Sequence, residues 1–322
     1  MYARLEERNV RSLRRTSIKN SSLEFPPLFS HNTHMFQKVA LHAREHLSNP
    51  KAFLDILAQV QKWSKEVHLT PEAMQYVSEH FSKVDFEKKY DIFIVFGGDG
   101  SVLNVAGRMK NFETPVLGIS AGTLGFLAEI APSDFPEAYQ RIMRGERTID
   151  SRCMLDICIS RASGKKEYYH ALNDAVISQS DVVRLARIET SVNHEYLTTY
   201  RADALIVSTP TGSTAYSLSA GGPIMYPHFR ALILTPVAPH SLSHRSLVLP
   251  KEKRVQVSAD TKSRTSLLLT IDGQRALSLH NDDVVDIGVH PHAFSFVRLP
   301  EEHFFKTISR KMHWGKECDT EG

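Results

Sequence analysis

The segment Tyr90-Asp-Ile-Phe-Ile-Val-Phe96 constrains the fold most, because it is a nearly continuous run of β-branched and aromatic residues. Such a run is typical of a strand buried on both faces of a parallel sheet. It ends in Gly97-Gly98-Asp99-Gly100, and helical spacing follows from Val102 to Met109. A second buried run, Pro115 to Ile119, is followed by helical spacing from Pro132 to Arg144. This alternation predicts an α/β domain built on a parallel sheet.

The secondary-structure pattern of the sequence changes near residue 150. Short strand-like runs recur from there to residue 298 with little helix between them, which is typical of an all-β sandwich. Upstream, helical spacing after Ser48-Asn49 predicts a helix over Pro50–Val67, and the tail regains helical spacing at Phe304, Phe305 and Ile308. The sequence therefore predicts four segments: a basic, disordered extension (1–34), an α/β phosphate-binding domain (35–150), a β-sandwich domain (151–298) and a helical tail (299–322).

The first 22 residues are rich in arginine and contain no apolar core, so they do not form a secretory signal. We interpret them as a disordered basic extension or as residues that precede a natural start at Met35. The net charge of +3, from 39 Lys and Arg against 36 Asp and Glu, does not indicate a nucleic-acid partner.

Other function classes are disfavoured by what the sequence lacks. No segment approaches the ~18 apolar residues of a membrane span. The three cysteines form no CxxC motif, which disfavours a disulfide framework or a zinc site and favours a reducing, cytoplasmic compartment. The 16 histidines show no ligand spacing, so we expect no metal held by the protein alone.

Gly97-Gly98-Asp99-Gly100-Ser101 joins a buried strand to a helix. Glycines let the backbone approach a ligand, and a helix N-terminus presents free N–H groups that suit a phosphate. Asp99 would be repelled by a phosphate, which indicates that it binds a metal carrying the phosphate or accepts a proton from a hydroxyl. An ordinary corner with a capping aspartate is the alternative. The sequence contains neither a Walker A loop nor GxGxxG.

A second motif runs from Ala202 to Pro223, where a buried strand leads into a hydroxyl-rich turn around Gly212. Its hydroxyl residues are Thr209, Thr211, Ser213 and Thr214. Short hydroxyls and free amides provide the directional hydrogen bonds that a sugar or an adenine edge needs, although a surface loop is the alternative. The pair Asn173-Asp174 could hold a purine edge and a ribose diol, or form a turn.

These motifs together resemble the bacterial type of NAD kinase over about Phe36 to Trp314. The matching segments occur in the family's order: Gly97–Ser101, Leu172–Asp174, Asp203–Pro223, Leu234–Ser243, Arg245–Pro250 and Ile271–Gln274. The run Thr209-Pro-Thr-Gly-Ser-Thr-Ala-Tyr216 is specific to that family, whereas the Gly-Gly-Asp-Gly corner also occurs in lipid kinases and phosphofructokinases.

The resemblance implies an activity and an assembly. NAD kinases transfer the γ-phosphoryl group of ATP, or in some members of polyphosphate, to the 2′-hydroxyl of the adenosine ribose of NAD. A divalent cation, usually Mg²⁺, accompanies the nucleotide. The resemblance also implies an α/β domain followed by a β-sandwich, a C-terminal tail that packs back on the first domain, an NAD site between the domains, and a homodimer or homotetramer.

The resemblance implies roles for individual residues. Asp99 matches the proton acceptor, with Gly100 beside it against the dinucleotide. Asn173 and Asp174 match the pair that holds the adenosine part, and Asp203 matches the acid near the nicotinamide end. The binding loop corresponds to Thr211, Thr214, Ala215, Tyr216 and Ser219. Arg184, Arg201 and Gln274 align with further binding positions.

The sequence departs from the family in two motifs. The usual Gly-Asp-Gly around the second acid reads Ala202-Asp203-Ala204 here, and a positive φ at either alanine would cost about 1 kcal/mol. Asp174 stands where many members have Glu, so its carboxylate reaches less far.

Two other functions are alternatives to a NAD kinase. A lipid kinase could use the same glycine corner, but Thr211 to Tyr216 and the lack of a membrane-facing apolar segment disfavour it. A non-catalytic NAD(P)-binding regulator would gain nothing from an acid beside the phosphate, so Asp99 disfavours that function.

Overall fold

The structure, a computed structural model, describes residues 36–179, 186–259, 267–301 and 304–314. The predicted basic extension and Arg184 lie outside the described residues.

The described residues form six α-helices, one 3₁₀-helix and nineteen β-strands. The helices are α1 (Pro50–Trp63), α2 (Pro71–Met74), α3 (Asp99–Arg108), α4 (Phe135–Met143), α5 (Tyr216–Ser219) and α6 (Phe304–Met312), with the 3₁₀-helix at Gly212–Thr214. The first six strands are β1 (Phe36–Ala43), β2 (Ser64–Leu69), β3 (Ser82–Lys83), β4 (Ile92–Gly97), β5 (Val116–Ser120) and β6 (Thr148–Arg152). The next six are β7 (Leu155–Ser160), β8 (Lys166–Ala171), β9 (Asp174–Gln179), β10 (Ala186–Val192), β11 (Glu195–Ala202) and β12 (Ala204–Ser208). The last seven are β13 (Ala231–Val237), β14 (Leu247–Pro250), β15 (Val255–Ala259), β16 (Leu267–Ile271), β17 (Arg275–Leu279), β18 (Val284–Val289) and β19 (Phe294–Arg298).

Strand β4 lies at the centre of the first sheet and is buried along its whole length. Its side chains alternate between two cores: Ile92, Ile94 and Phe96 join the core that contains α1 and α4, whereas Phe93 and Val95 join the core that contains α3. Helices therefore cover both faces of the sheet, which explains why the strand sequence is apolar without alternation.

The first sheet contains seven strands in the order β3-β2-β1-β4-β5-β19-β6. Strands β3, β2, β1, β4 and β5 are parallel, and β19 pairs parallel with β5 and antiparallel with β6. The prediction of an α/β domain with a parallel sheet is confirmed.

The sheet also contains a strand that the sequence pattern placed elsewhere. Residues 294–298 fall in the segment predicted as sandwich (151–298), but β19 lies in the first sheet, where Phe296 pairs with Val116 and with Asp150. An apolar alternation predicts a strand without predicting the sheet that it joins. The division of the chain at residues 150 and 298 stays a prediction.

The remaining strands form two antiparallel sheets of six strands, ordered β11-β10-β15-β18-β7-β8 and β14-β13-β12-β9-β16-β17. One apolar core joins the inner faces of these two antiparallel sheets. In it, Ile157 and Ile287 from the sheet that contains β7 and β18 pack with Leu205 and Leu269 from the sheet that contains β12 and β16. Two sheets that share one apolar core form a sandwich, so the prediction of a C-terminal all-β sandwich is confirmed.

Helix α1 begins where the sequence predicted and ends earlier. The side chain of Asn49 accepts a hydrogen bond from the Ala52 N–H, and Pro50 occupies the first turn. The predicted helix to Val67 is wrong in its last turn: the chain becomes extended at Ser64, and β2 pairs Val67 with Val39. Sheet pairing outweighs the helical spacing there.

The tail forms the expected helix, α6, in which Ile308 is buried. Glu301 forms an ion pair with Arg141 of α4, whereas Phe304 and Phe305 contact the ring of Tyr226 at centroid distances of 5.2 and 5.8 Å. Packing of the whole tail on the first domain stays a prediction. None of the helices among the described residues has the length and apolar character needed to cross a membrane.

His42 at the end of β1 makes the stability of the first domain sensitive to acid. The side chain is buried beside Thr70 and Glu72, and burial lowers its pKa to about 4. A histidine with a lowered pKa in the folded state stabilises above the pKa of the unfolded state, and this contribution is lost as the pH falls below about 6.5.

We expect His42→Gln to remove part of this acid sensitivity. Between pH 7 and pH 5, the wild-type chain should lose about 2 kcal/mol more unfolding free energy than the variant. Urea unfolding at the two pH values measures the difference, and His46→Gln, at an exposed position, serves as the control. Equal losses in wild type and His42→Gln would contradict the expectation.

Candidate active site

The first half of the site lies where the strand order of the parallel sheet reverses. The chain passes from β1 to β2 on one side, while β4 lies on the other side of β1. The N–H of Arg44, just after β1, donates to the carbonyl of Phe96 at 3.1 Å, so the two strand ends lie together. Open α/β sheets bind ligands in the crevice at such a point. Gly97-Gly98-Asp99 follows β4 there.

Asp99 is the first residue of α3, and its carboxylate binds the backbone of a distant loop. Its Oδ2 accepts a hydrogen bond from the Phe126 N–H at 2.9 Å, and its Oδ1 accepts bonds from the N–H groups of Leu127 and Ala128 at 2.9 and 3.0 Å. A Cβ on Gly125 would lie 1.9 Å from Asp99 Oδ1, so this contact requires glycine. These bonds fix the orientation of the carboxylate.

The glycines on either side of Asp99 border open space. A Cβ added to Gly98 or to Gly100 would meet no atom within 4 Å, and Gly100 is exposed. The first amides of a helix have no partner within the helix. A ligand can therefore reach this corner from the solvent side; contact between Gly100 and a dinucleotide stays a prediction.

The second half of the site lies in the sandwich, where the hydroxyl-rich loop after β12 packs on the segment before β9. Thr209 donates its N–H to the carbonyl of Asn173 at 2.8 Å and its hydroxyl to the carbonyl of Leu172 at 2.6 Å. A Cβ on Gly212 would lie 2.2 Å from the Asn173 carbonyl oxygen. The loop and the Asn-Asp pair, which sequence analysis proposed separately, are thus in direct contact.

Three buried side-chain oxygens near this contact have no hydrogen-bond partner among the described residues: Ser208 Oγ at the end of β12, and Asn173 Oδ1 and Thr211 Oγ1 on the two adjoining segments. A buried polar atom left unpaired costs about 1–3 kcal/mol. Two such atoms on adjoining segments indicate a position where a polar ligand supplies the missing hydrogen bonds.

Beside them, two buried carboxyl groups, those of Asp174 and Asp272, interact. Burial, and then the negative charge of Asp272, raises the pKa of Asp174 to about 7. Burial also raises the pKa of Asp272 to about 6, although Asp272 accepts hydrogen bonds from the N–H groups of Leu172, Asn173 and Asp174. Sequence analysis assigned no role to Asp272; the Asp272-Gly273 dipeptide between two strand patterns was the available signal.

The remaining loop residues differ in exposure. Thr214 donates its hydroxyl to the Thr211 carbonyl at 3.2 Å and is partly buried, as is Ala215. Tyr216 and Ser219, the first and last residues of α5, are exposed. Ligand contacts by these side chains stay predictions.

Within one chain, Asp203 and Arg201 lie far from the hydroxyl-rich loop that follows β12. Asp203 precedes β12 and the loop follows it, so about 17 Å of strand separates them. Both residues are exposed. Gln274, in contrast, lies at the tip of the β16–β17 hairpin, two residues after Asp272. The roles of these residues stay predictions.

The alanines that flank Asp203 carry no backbone strain. Neither Ala202 nor Ala204 has a positive φ, and both side chains are buried. The cost considered from the sequence for replacing Gly-Asp-Gly therefore does not arise in this conformation.

A cavity of about 300 Å³ is lined by residues from the neighbourhood of both halves, although Asp99, Asn173 and Asp174 are not among its lining residues. Phe126, which binds Asp99 through its N–H, lines it together with Thr211 and Thr214. Its wall also contains Asp150 and Arg298, from β6 and β19. No local pattern predicted this wall, because the two segments are far apart in the sequence.

The charges of this wall are paired among themselves. Burial opposes ionisation of Asp150, but hydrogen bonds from Arg152 and His228 at 2.5–2.7 Å, together with the charge of Arg298, lower its pKa to about 2. Arg298 also pairs with Glu129. No group of three or more His, Cys, Asp or Glu side chains in the described ranges is arranged to hold a metal ion.

Comparison with known proteins gives the family. Residues 31–147 match the model of the ATP-NAD kinase N-terminal domain, and residues 172–299 match that of the ATP-NAD kinase C-terminal domain. The NAD kinase of Citrifermentans bemidjiense is 32% identical over 289 residues, covering 87% of this chain and 99% of that protein. The NAD kinase of Heliobacterium modesticaldum is 41% identical over 229 residues, covering 71% and 81%. The chain belongs to the NAD kinase family.

Solved structures support the fold. Yeast NADH kinase in complex with NADH superposes with a TM-score of 0.81 at 22% identity, covering 90% of this chain and 91% of that one. An NAD kinase from Archaeoglobus fulgidus in complex with ATP gives a TM-score of 0.63 at 22% identity, covering 82% and 94%.

We expect Gly212→Ala to disturb the contact between the loop and Asn173, because the new methyl group overlaps backbone atoms. Overpacking of this kind costs about 1–3 kcal/mol, which lowers the melting temperature by roughly 3–10 °C. The control is Gly107→Ala, at an exposed position of α3 where an added Cβ meets no atom within 4 Å. This substitution should raise the free energy of unfolding by about 0.5–1 kcal/mol. Thermal unfolding measures both, and a Gly212→Ala variant as stable as wild type would contradict the packing.

Proposed function

We propose that this member of the family phosphorylates the 2′-hydroxyl of the adenosine ribose of NAD with ATP, giving NADP and ADP. The observation that supports it most is the pair of unpartnered buried acceptors, Asn173 Oδ1 and Thr211 Oγ1. They lie where the hydroxyl-rich loop meets the Asn-Asp pair, and the amide and hydroxyl groups of a dinucleotide have the donors that these atoms lack.

In this proposal Asp99 accepts the proton of the attacking hydroxyl. The ribose oxygen forms a bond to the γ-phosphorus, the bond to the β–γ bridging oxygen breaks, and ADP leaves. A carboxylate has about four lone-pair sites, and three of them already accept backbone N–H groups, so one acceptor position remains. A fixed acceptor suits this role because orientation supplies much of the rate enhancement.

The adenosine part would be held by Asn173 and Asp174. The loop residues Thr211, Thr214, Ala215, Tyr216 and Ser219 would surround it, with Gly100 against the ribose and Gln274 at the adjacent hairpin tip. Asp203 would act near the nicotinamide end of the dinucleotide. Arg201, and Arg184 outside the described residues, would be further binding residues.

The phosphoryl donor is proposed to be ATP, with polyphosphate as the second donor to test. Mg²⁺ would arrive bound to the phosphate oxygens of the donor, because this ion is usually held by substrate phosphates and few protein ligands. Such an ion neutralises the charge that develops on the transferred group.

Two properties beyond the site are also proposed. The chain would assemble as a homodimer or homotetramer, and the edge strand β11 leaves Tyr196 and Leu197 exposed for such contacts. It would act in the reducing cytoplasm, where Cys153 and Cys158 keep free thiols. Light scattering on the purified chain measures the assembly.

One assay tests the function directly. Purified protein is incubated with NAD, Mg²⁺ and either ATP or polyphosphate, and NADP is measured with a coupled dehydrogenase. A diacylglycerol acceptor is tested in parallel for the lipid-kinase alternative. NADP formation that depends on the donor is expected; NAD binding without turnover would favour the non-catalytic regulator, and lipid phosphorylation would favour the lipid kinase.

We expect Asp99→Asn to lower NADP formation at least ~100-fold, because the amide cannot accept the proton. NAD affinity, measured by calorimetry, should stay within a few-fold. The variant also loses a backbone hydrogen bond, worth about 1–3 kcal/mol, so turnover is measured well below its melting temperature. Asp134→Asn, an exposed aspartate before α4, is the matched control. Near-normal turnover in a folded Asp99→Asn variant would contradict the role.

A further inference from the structure

The β16–β17 hairpin reaches the Asn173-Asp174 pair through its turn. Asp272 and Gly273, the central residues of the turn, have φ values of +49° and +63°, and the Gln274 N–H donates to the Ile271 carbonyl at 2.9 Å. Two successive residues with positive φ are typical of the type I′ turn, whose twist matches that of the strands. This turn presents the Asp272 side chain to the segment before β9.

The Asp272 carboxylate binds three consecutive backbone N–H groups of that segment. Its Oδ2 accepts from Leu172 at 2.8 Å, and its Oδ1 accepts from Asn173 at 2.7 Å and from Asp174 at 3.0 Å. In return, the Asp272 N–H donates to the Asp174 carbonyl at 2.9 Å. Four hydrogen bonds therefore join two segments that are about a hundred residues apart in the sequence.

We infer that Asp272 is a positioning residue, which holds the Asn173-Asp174 pair in the place where the adenosine part of the dinucleotide binds. The inference rests on the proposed function, because that function gives the pair its role. Asp272 would act through the backbone of the pair, without itself touching the ligand.

A carboxylate is the side chain that this position requires. Three N–H donors converge on its two oxygens, and an ionised carboxylate accepts at both oxygens without presenting a donor. An asparagine would turn its NH₂ group toward at least one of the backbone donors. The peptide planes of the segment would then rotate or move, and the side chains of Asn173 and Asp174 would move with them.

The charge of Asp272 has a second consequence for the pair. Burial is the larger cause of the raised pKa of Asp174, and the negative charge of Asp272 is the smaller cause. No other charged group among the described residues contributes to this shift. Removing the charge by Asp272→Asn should therefore lower the pKa of Asp174. Any change in NAD affinity caused by ionisation of Asp174 should therefore move to lower pH in Asp272→Asn.

The matched control is Asp283, another buried carboxylate of the sandwich that binds backbone. It accepts from the N–H groups of His280 and Ala162 at 2.9 and 3.0 Å and from Arg161 at 2.9 Å. It follows β17 at the end away from the turn, so about 17 Å of strand separates it from Asp272. Asp283→Asn should lower stability without changing NAD affinity.

The experiment compares wild type, Asp272→Asn and Asp283→Asn as full-length chains. KM and kcat for NAD are measured from pH 5.5 to pH 8.5, and NAD binding is measured by calorimetry at the same pH values. We expect Asp272→Asn to raise KM and Kd for NAD about 10- to 100-fold, with kcat within a few-fold and the pH inflection of Kd shifted down. Unchanged KM, Kd and inflection in a folded Asp272→Asn chain would overturn the inference, as would an equal rise in KM in Asp283→Asn.

If Asp272→Asn does not fold, amide hydrogen exchange on the wild-type chain provides a second test of the inference. The amides of Leu172, Asn173 and Asp174 should be protected in the absence of NAD, and exchange at the rate of an exposed loop would overturn the inference. Failure of the proposed function is distinguishable, because it would abolish NADP formation in the wild type, whereas the exchange and binding measurements do not need turnover.

Discussion

Carboxylates that each bind three consecutive backbone N–H groups organise both halves of this site. Asp99, at the start of α3, binds the amides of residues 126–128, and Asp272, in a hairpin turn, binds those of residues 172–174. Backbone N–H groups in an irregular segment have no ladder partner, so a carboxylate is an efficient way to satisfy several at once. The segments 126–128 and 172–174 are thereby held in defined conformations before any ligand arrives.

This construction has an electrostatic cost that is localised at the sandwich half. Asp174 and Asp272 are both buried, and both have pKa values raised toward neutrality. Groups with a raised folded-state pKa stabilise the fold fully at low pH, and that contribution is lost as the pH rises through the folded-state value. A ligand that donates hydrogen bonds to Asp174 would favour the ionised form of this carboxyl group. Perturbed carboxyl groups of this kind are concentrated at functional sites.

Local features of the sequence were sufficient to predict much of the fold. The apolar run that ends in Gly97 marks a strand covered on both faces, because such runs are typical of parallel sheets with helices on both sides. The hydroxyl-rich run after β12 predicts a binding loop because its length and composition are unusual for a surface turn. The contact of this loop with Asn173 could not be predicted, since it joins segments of different strands.

Non-local relations account for what the sequence did not predict. Strand β19 enters the first sheet after the whole sandwich has been completed, and no periodicity in Phe294–Arg298 specifies that neighbour. Asp272 resembles an ordinary turn residue until the amides that it binds are seen. Asp203 was assigned to the dinucleotide from the resemblance, which transfers roles without distances, and the structure places it at the far end of β12 from the loop.

A crystal structure of the purified chain with NAD tests most directly whether these two carboxylate-held loops form one dinucleotide site. We expect the adenosine ribose between the Asp99 corner and Asn173-Asp174, with Asn173 Oδ1 and Thr211 Oγ1 hydrogen-bonded to the ligand or to a water that bridges to it. Electron density for NAD elsewhere on the chain, with those two oxygens still unpaired, would contradict this arrangement.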